Sequence, residues 1–339
     1  MAAFDSPVPL QSAYLHVTHH CNLNCIGCYS AVDARNAQRD LTLDELRGII
    51  EALADAGCRH VVISGGEPFL RDDLAAIVAY VRERGIDSVD VLTNGTAVTP
   101  EKLAAIAPYV GRVSVSFDGS NAEAAPVIRR EPLFERLVAA VEMIRAAGIA
   151  PHIIPTAHGG NIDTLGEYVA LADSLGATMN FSLLSAPVES DELAAVIPDD
   201  AALERLAQAT LALSRNGVPV LADTPVSTSL STTCGCGAGC AMVSVSADGE
   251  VFPCHMMHDE AFSLGSLLED PGCLAARHAP APRVGELAAC ADCEIRYLCG
   301  GGCRARAYFA TGDVEARDPY CALMRTFYRL LFEAMLGRN

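Results

Sequence analysis

The sequence has no tryptophan and only one lysine, Lys102, so its other basic residues are all arginines. Lys102 lies in a stretch that reads as an exposed helical turn, which leaves almost no candidate for a lysine Schiff base to pyridoxal phosphate. No apolar run approaches the ~18 residues of a membrane span, and the first residues lack the basic and apolar regions of a signal peptide. We therefore expect a cytoplasmic protein with no membrane contact.

Positive charge is also scarce. The chain has 24 basic and 42 acidic residues, which gives a formal net charge of −18. Nucleic-acid binding needs a basic surplus to neutralise phosphates, so we expect no nucleic-acid partner. Hydrophobic residues make up 51% of the 339 positions, enough to bury one large core, or one core and a smaller domain.

Residues 12–185 alternate short β-branched runs with amphipathic helical patterns. The predicted strands are Ala13–Val17, His60–Ser64, Ser88–Leu92, Arg112–Phe117, His152–Thr156 and Thr178–Leu183. The predicted helices between them include Leu43–Ala56, Asp72–Arg84, Leu133–Ala147 and Thr164–Leu175. Such repeats build a parallel sheet, and about six of them predict an α/β fold with a partial (β/α)6 TIM-like barrel. The chemistry of such a barrel lies at the carboxyl ends of its strands.

The pattern breaks near residue 225. Beyond it the chain is rich in Ser, Thr, Gly, Cys and Pro, and holds ten of the fourteen cysteines. We predict a barrel over residues 1–225 and a small cysteine-rich domain over residues 226–339. Two short strands, Met242–Ser246 and Val251–Pro253, indicate a β-hairpin around Asp248–Gly249, and a final helix is predicted over Tyr320–Leu336.

Three cysteines, Cys21, Cys25 and Cys28, follow the first predicted strand with C-x3-C-x2-C spacing. Three thiolates on one tight loop can bind three irons of a cubane cluster and leave the fourth iron without a protein ligand. An open metal position is what chemistry at a cluster needs. A structural zinc is an alternative, because His19 and His20 precede the triad, and chance clustering is another.

At this triad the sequence resembles the radical S-adenosyl-L-methionine (SAM) superfamily. Gly65-Gly66-Glu67-Pro68 is similar to the GGEP motif of that family, which contacts the methionyl amino group of SAM. Glu67 would supply a charge for the ammonium, and the glycines would allow close backbone approach. Arg129 stands where a related subfamily holds the SAM carboxylate, although a surface arginine would explain it nearly as well. The resemblance implies further SAM or substrate contacts at the next strand ends, from Thr93, Asn94, Ser116 and Asp118.

The C-terminal cysteines resemble the seven-cysteine pattern of the SPASM domain, found in radical SAM maturases of peptides and proteins. That resemblance implies two auxiliary 4Fe–4S clusters, and with the triad's SAM-binding cluster three in all. One auxiliary cluster would take Cys290, Cys293, Cys299 and Cys321. The other would take Cys254, Cys303 and two of Cys234, Cys236 and Cys240, between which the spacing does not decide. The alternative is a pair of zinc sites, and Cys58 and Cys273 read as structural thiols.

The resemblance implies that SAM is cleaved at a reduced cluster to a 5′-deoxyadenosyl radical, which abstracts a hydrogen atom from the substrate. Our first hypothesis is oxidative modification of a ribosomally made peptide, forming a crosslink, a thioether or a carbon–carbon bond. A dehydrogenase of a small molecule, of aminocyclitol or tetrapyrrole type, is the alternative. A non-enzymatic iron–sulfur electron-transfer or sensor protein is the third. We expect a flavodoxin or ferredoxin as reductant, and any leader-recognition protein as a separate chain.

His255 directly follows Cys254, at the end of the predicted hairpin. In sulfatase-maturating relatives this position holds an aspartate that acts as a base near the substrate. An imidazole can accept a proton at neutral pH, so we predict His255 as the base, with Asp118 and His258 as the next candidates. The alternative is that His255 only hydrogen-bonds a cluster sulfur or caps the hairpin.

Overall fold

The computed structural model describes residues 9–30, 33–187, 190–215 and 237–337. Helices alternate with strands through the first half, as the periodicity predicts. The strands are β1 (Ser12–His16), β2 (His60–Ser64), β3 (Ser88–Thr93), β4 (Arg112–Phe117), β5 (Ala150–Ala157), β6 (Thr178–Met179), β7 (Ser182–Leu183), β8 (Met242–Val245) and β9 (Val251–Phe252). The helices are α1 (Leu43–Asp55), α2 (Leu74–Glu83), α3 (Pro100–Ile106), α4 (Phe134–Ala146), α5 (Leu165–Leu175), α6 (Asp191–Ala194), α7 (Asp200–Arg215), α8 (Arg296–Cys299), α9 (Arg304–Thr311) and α10 (Cys321–Met335).

The strands form one mostly parallel sheet in the order β6-β5-β4-β3-β2-β1-β8-β9, with β7 paired to β5. From β1 to β6 the neighbours in space are the neighbours in sequence, each reached through a helical connection, which is the order of the predicted partial barrel. Local chemistry sets the helix ends. Helix α1, for example, starts at a capping box in which Thr42 accepts from the backbone of Glu45 and Glu45 accepts from that of Thr42.

The two faces of the sheet differ in polarity. Successive side chains of a strand point to opposite faces, so each strand contributes to both. In β4, Val113 and Val115 are fully buried in the apolar core, whereas Ser114 and Ser116 line a cavity on the other face. The sheet thus places polar side chains where the helices do not cover it.

The predicted hairpin forms, but it belongs to the main sheet. Strand β8 pairs in parallel with β1, from Ser12 opposite Met242 to Leu15 opposite Val245, and β9 pairs antiparallel with β8. Nothing local in the sequence indicates this pairing. The predicted boundary at residues 225 and 226 lies outside the described residues.

Two further details differ from the prediction. The sixth strand is two short strands, β6 and β7, which both pair with β5. Lys102 is half-buried on α3 rather than exposed, and its Nζ donates to the Phe69 carbonyl at 2.5 Å. Among the described helices, none has both the length and the apolar character that spanning a membrane would require.

Candidate active site

A cavity of about 330 Å³ lies at the carboxyl ends of the parallel strands. The loop after β1 supplies one wall with its three cysteines, and the cysteine-rich segment supplies another. Ten of the residues singled out by the sequence meet here. The cavity is lined by Cys21, Cys25, Cys28, Gly65, Gly66, Thr93, Asn94, Ser116, Arg129 and His255, among others.

The three cysteines of the loop are partly buried and have polar neighbours. The Asn94 side-chain amide lies 3.7 Å from Cys21 Sγ, and an Arg35 guanidinium nitrogen lies 3.9 Å from Cys28 Sγ. Burial raises the pKa of Cys25 to about 11 and also raises the pKa of Cys21. A metal that binds this loop would therefore displace protons from thiols that burial keeps protonated.

The side chains of the loop are not arranged for a single ion. Within the described ranges, no three His, Cys, Asp or Glu side chains converge closely enough to hold one metal ion. A zinc site would gather four ligands within about 2.0–2.3 Å of the metal. His20 does not turn towards the triad, because its Nε2 lies 2.8 Å from the Gln38 carbonyl oxygen. His20 is thus not placed as a further ligand of the triad.

Gly65 and Gly66 let the loop after β1 cross close above them. A Cβ on Gly66 would lie 2.1 Å from the His20 carbonyl oxygen, and one on Gly65 would lie 2.4 Å from that of Thr18. The Gly66 amide donates to the Thr18 carbonyl at 2.8 Å. The glycines are therefore needed to seat the triad loop, in addition to the close approach to SAM that the resemblance implies.

Glu67 lies beneath the cavity instead of on its wall. It is fully buried, and one carboxylate oxygen accepts from the Phe69 amide at 3.0 Å and the Thr93 hydroxyl at 2.8 Å. The other oxygen accepts from the Asn94 amide at 2.7 Å. The carboxylate thus fixes the loop after β3, and neither Glu67 nor Pro68 lines the cavity.

Asp118 holds the segment that carries Arg129. Its carboxylate accepts from the backbone amides of Ile128 at 2.9 Å and Arg129 at 2.8 Å, and it does not line the cavity. Arg129 itself is 6% exposed. Its Nε and one terminal nitrogen have no hydrogen-bond partner among the described residues. A buried guanidinium with unused donors on a cavity wall is suited to an anionic ligand.

His255 lies on the cavity wall beside Cys254. Its ring stacks on Tyr14 with centroids 4.2 Å apart, and its Nδ1 is 3.7 Å from Cys254 Sγ. His258 is turned away and hydrogen-bonds Ser244 Oγ at 2.8 Å. Burial lowers the pKa of His258 to about 3, so it is neutral in the folded protein. Of the two histidines, only His255 faces the cavity.

Tyr29, Ser64 and Arg35 belong to the site but were not predicted as functional. The Tyr29 hydroxyl and Ser64 Oγ lie 3.1 Å apart, and both residues line the cavity. Tyr29 directly follows the triad, and Ser64 ends β2, so proximity along the chain could have indicated them. Arg35 lies in no recognisable pattern, and only the fold brings it to Cys28.

The C-terminal cysteines form a second concentration of thiols. Burial raises the pKa of Cys321 to about 12, and the nearby Asp318, Cys299 and Cys290 raise it further. Cys290, Cys299 and Cys321 therefore lie near one another. Cys240 borders a separate cavity of about 320 Å³, next to the Gly300–Gly302 loop. No disulfide joins described cysteines. Cys234 and Cys236 lie outside the described residues, and Cys58 and Cys273 are buried in the core.

Comparison with known proteins gives a consistent result. Residues 15–173 match the Radical SAM superfamily. The AdoMet-dependent heme synthase of Methanosarcina barkeri is 33% identical, over 90% of this chain and 94% of that protein. The mycofactocin maturase MftC of Mycolicibacterium smegmatis is 29% identical, over 94% of this chain and 83% of that protein.

The fold has a close counterpart among solved structures. Native anSMEcpe with bound AdoMet and Kp18Cys peptide superposes with a TM-score of 0.78, over 96% of this chain and 98% of that one. At 17% identity this similarity speaks for the fold alone. The superfamily match falls on the segment that carries the cysteine triad and the glycine pair, and the similarity to the heme synthase extends over nearly the whole chain. The chain therefore belongs to the Radical SAM superfamily and is an enzyme.

Proposed function

We propose that this enzyme binds a 4Fe–4S cluster at Cys21, Cys25 and Cys28, binds SAM beside it, and oxidatively modifies a ribosomally made peptide. The observation that carries the proposal is the meeting of the three thiols with the unpaired guanidinium of Arg129 on one cavity wall. The cavity of about 330 Å³ also falls within the range of small-molecule sites.

The residues present fit both groups. Three cysteines can ligate three irons and leave one open for SAM. Arg129 offers buried donors to a carboxylate, and the Asn94 amide is directed at the triad. When bound, the reduced cluster and SAM supply a 5′-deoxyadenosyl radical that abstracts a hydrogen atom from the substrate.

The protein's own residues position these groups. Asp118 fixes the backbone of Ile128 and Arg129, so that the guanidinium is held before its ligand arrives. Glu67 fixes the loop after β3 that carries Thr93 and Asn94. In this arrangement Glu67 and Asp118 act one step away from SAM rather than as its direct partners.

We also propose that the C-terminal region is a SPASM domain with two auxiliary 4Fe–4S clusters. Cys290 raises the pKa of Cys299, and Cys290 and Cys299 both raise the pKa of Cys321, which supports one of these clusters, with Cys293 as fourth ligand. The cavity beside Cys240 supports a place for the other, which would also take Cys254, Cys303 and one of Cys234 and Cys236. An auxiliary cluster would accept the electron that the substrate radical must lose.

His255 is the proposed proton acceptor for that oxidation. A substrate radical that gives up an electron also releases a proton, and a base beside the electron acceptor serves both transfers. His255 combines the two positions, since it lines the cavity and directly follows the proposed cluster ligand Cys254. A flavodoxin or ferredoxin reductant, a separate leader-recognition protein and a cytoplasmic location stay predictions.

Two substrate classes find support among the relatives. The mycofactocin maturase supports a peptide, as does the peptide bound in the anSMEcpe structure. The heme synthase, at 33% identity, favours a tetrapyrrole as the second candidate. The third hypothesis, a non-enzymatic iron–sulfur electron-transfer or sensor protein, is wrong, because the chain is an enzyme of the Radical SAM superfamily.

The test uses anaerobically reconstituted, reduced protein with SAM. Each short peptide encoded beside the gene is added in one series, and porphyrins with carboxylated side chains in another. We expect a peptide to lose hydrogen atoms, as seen by mass spectrometry, with 5′-deoxyadenosine formed in proportion. If only a porphyrin is converted, the substrate is a tetrapyrrole and the proposed peptide substrate is wrong. Absence of SAM cleavage in both series would refute the proposed chemistry.

A further inference from the structure

A buried ion pair between Arg306 and Asp318 lies in the cysteine-rich segment. Arg306 is 6% exposed and Asp318 is 2% exposed. The guanidinium donates through two nitrogens to the two carboxylate oxygens, at 3.1 and 2.8 Å. A bidentate pair removed from water fixes the orientation of both side chains. Its loss on one side would leave the other charge buried and unpaired.

Asp318 also holds the backbone next to two proposed cluster ligands. One carboxylate oxygen accepts from the Cys303 amide at 2.6 Å, and the other accepts from the Tyr320 amide at 2.9 Å. Tyr320 directly precedes Cys321. Gly302 has no room for a side chain here, since a Cβ added at this position would lie 2.4 Å from an Asp318 carboxylate oxygen. One carboxylate thus sets the backbone beside Cys303 and beside Cys321.

Arg306 connects this arrangement to the wall of the active-site cavity. Its remaining terminal nitrogen donates to Ser185 Oγ at 3.3 Å, and its guanidinium lies 4.8 Å from the centroid of the Tyr320 ring. The Tyr320 hydroxyl donates to the Leu184 carbonyl at 2.7 Å. Leu184 and Ser185 both line the cavity. These contacts of Arg306 and Tyr320 therefore connect the cavity wall to the backbone beside the C-terminal cysteines.

We propose that Arg306 and Asp318 are positioning residues that hold the ligands of both auxiliary clusters at a fixed distance from the substrate. This inference rests on the proposed auxiliary clusters, one with Cys303 and the other with Cys321. Outer-shell partners of metal ligands orient them and tune the metal. Here one ion pair orients two sets of ligands and joins them to the cavity from which the electron comes.

The charges give the pair a second effect. Clusters with four thiolates carry net negative charge, and nearby charge is one determinant of their reduction potentials. Arg306 offsets the negative charge of Asp318 between the two ligand segments. Removal of the guanidinium charge alone would leave the carboxylate facing both clusters, which makes the addition of an electron less favourable. The auxiliary potentials should then become more negative, whereas the triad cluster should not change.

The test compares Arg306→Met with Arg306→Lys in the reconstituted full-length enzyme. Arg329→Met is the matched control, because Arg329 forms an exposed pair with Glu333 at 3.1 Å. Iron content, redox titration followed by electron paramagnetic resonance, and the ratio of product to 5′-deoxyadenosine are measured. We expect Arg306→Met to shift the auxiliary potentials downwards and lower the ratio roughly 10-fold or more. Arg306→Lys should recover part of both, and Arg329→Met should match the wild type.

Tyr320→Phe separates position from charge, because it removes only the hydroxyl that bonds the Leu184 carbonyl. We expect a lower product ratio with unchanged potentials, whereas Tyr80→Phe, which loses a hydroxyl bond from α2 to the Glu51 side chain on α1, should have no effect. Unchanged potentials and ratio in Arg306→Met, or an unchanged ratio in Tyr320→Phe, would overturn the inference. A wild-type enzyme with only one cluster would instead refute the auxiliary clusters themselves.

Discussion

Two carboxylates at strand ends, Glu67 and Asp118, show how far a residue's position in a motif predicts its contacts. Both occur where the sequence analysis placed SAM or substrate contacts, yet both turn to backbone amides of neighbouring loops. The Phe69 amide is a local donor to Glu67, but the other donors, Thr93 and Asn94 for Glu67 and Ile128 and Arg129 for Asp118, are ten or more residues away along the chain. The direction of a loop carboxylate depends on such distant donors, so the sequence could predict the site but not this detail.

His255 is the residue on which the proton transfer is predicted to depend. We expect His255→Ala to keep its clusters and cleave SAM, yet to form product ~100-fold more slowly, as for loss of a general base. His255→Asp should recover part of the rate. The measurement is single-turnover product formation, with 5′-deoxyadenosine as the internal reference. If His255→Ala keeps its clusters and forms product at the normal rate, another residue acts as the base.

Arg129 is predicted to bind the SAM carboxylate. Arg129→Gln removes a charge-assisted interaction of about 1.5–3 kcal/mol, which corresponds to roughly 10- to 100-fold weaker SAM binding. Isothermal titration of the reconstituted protein measures this directly. The control is Arg130→Gln, since the neighbouring Arg130 pairs with the exposed Glu192 at the surface. Equal affinities in both variants would mean that the guanidinium faces something other than SAM.

At the scale of elements, the boundaries of β2 and β4 agree with the prediction, the sixth predicted strand is split into β6 and β7, and the other strands differ by one or two residues at one or both ends. Short buried runs between amphipathic helices determine these elements locally. The pairing of β8 with β1 could not be predicted, because it depends on the side of the sheet that the returning chain meets. The ion pair of Arg306 and Asp318 could not be predicted from the sequence either, because it also depends on how the returning chain packs.

The two cysteine-bearing elements should have separable roles. Replacement of Cys21, Cys25 and Cys28 by alanine removes the proposed ligands of the SAM-binding cluster, so 5′-deoxyadenosine formation should stop. Replacement of Cys290 and Cys293 should leave SAM cleavage but no substrate product. Liquid chromatography of both products measures the difference, and circular dichroism confirms that each variant is folded. If the folded variant that lacks Cys290 and Cys293 still forms full product, the cluster at these cysteines has only a structural role.

At the scale of the whole molecule, metal content tests the proposed architecture. Three cubane clusters correspond to about twelve irons per chain after anaerobic reconstitution. Iron and zinc are measured together by elemental analysis, against protein determined by amino-acid analysis. About four irons with zinc in the remainder would refute the SPASM assignment and leave the triad intact.

The place of β8 in the sheet affects how the enzyme is made. Strand β1 leaves the ribosome long before its outer neighbour, Met242–Val245. Until then β1 exposes an unpaired strand edge next to the cysteine loop, the kind of surface on which nascent chains associate wrongly. Completion of the sheet must therefore wait for Met242–Val245, which makes closure of the proposed triad site depend on this later segment.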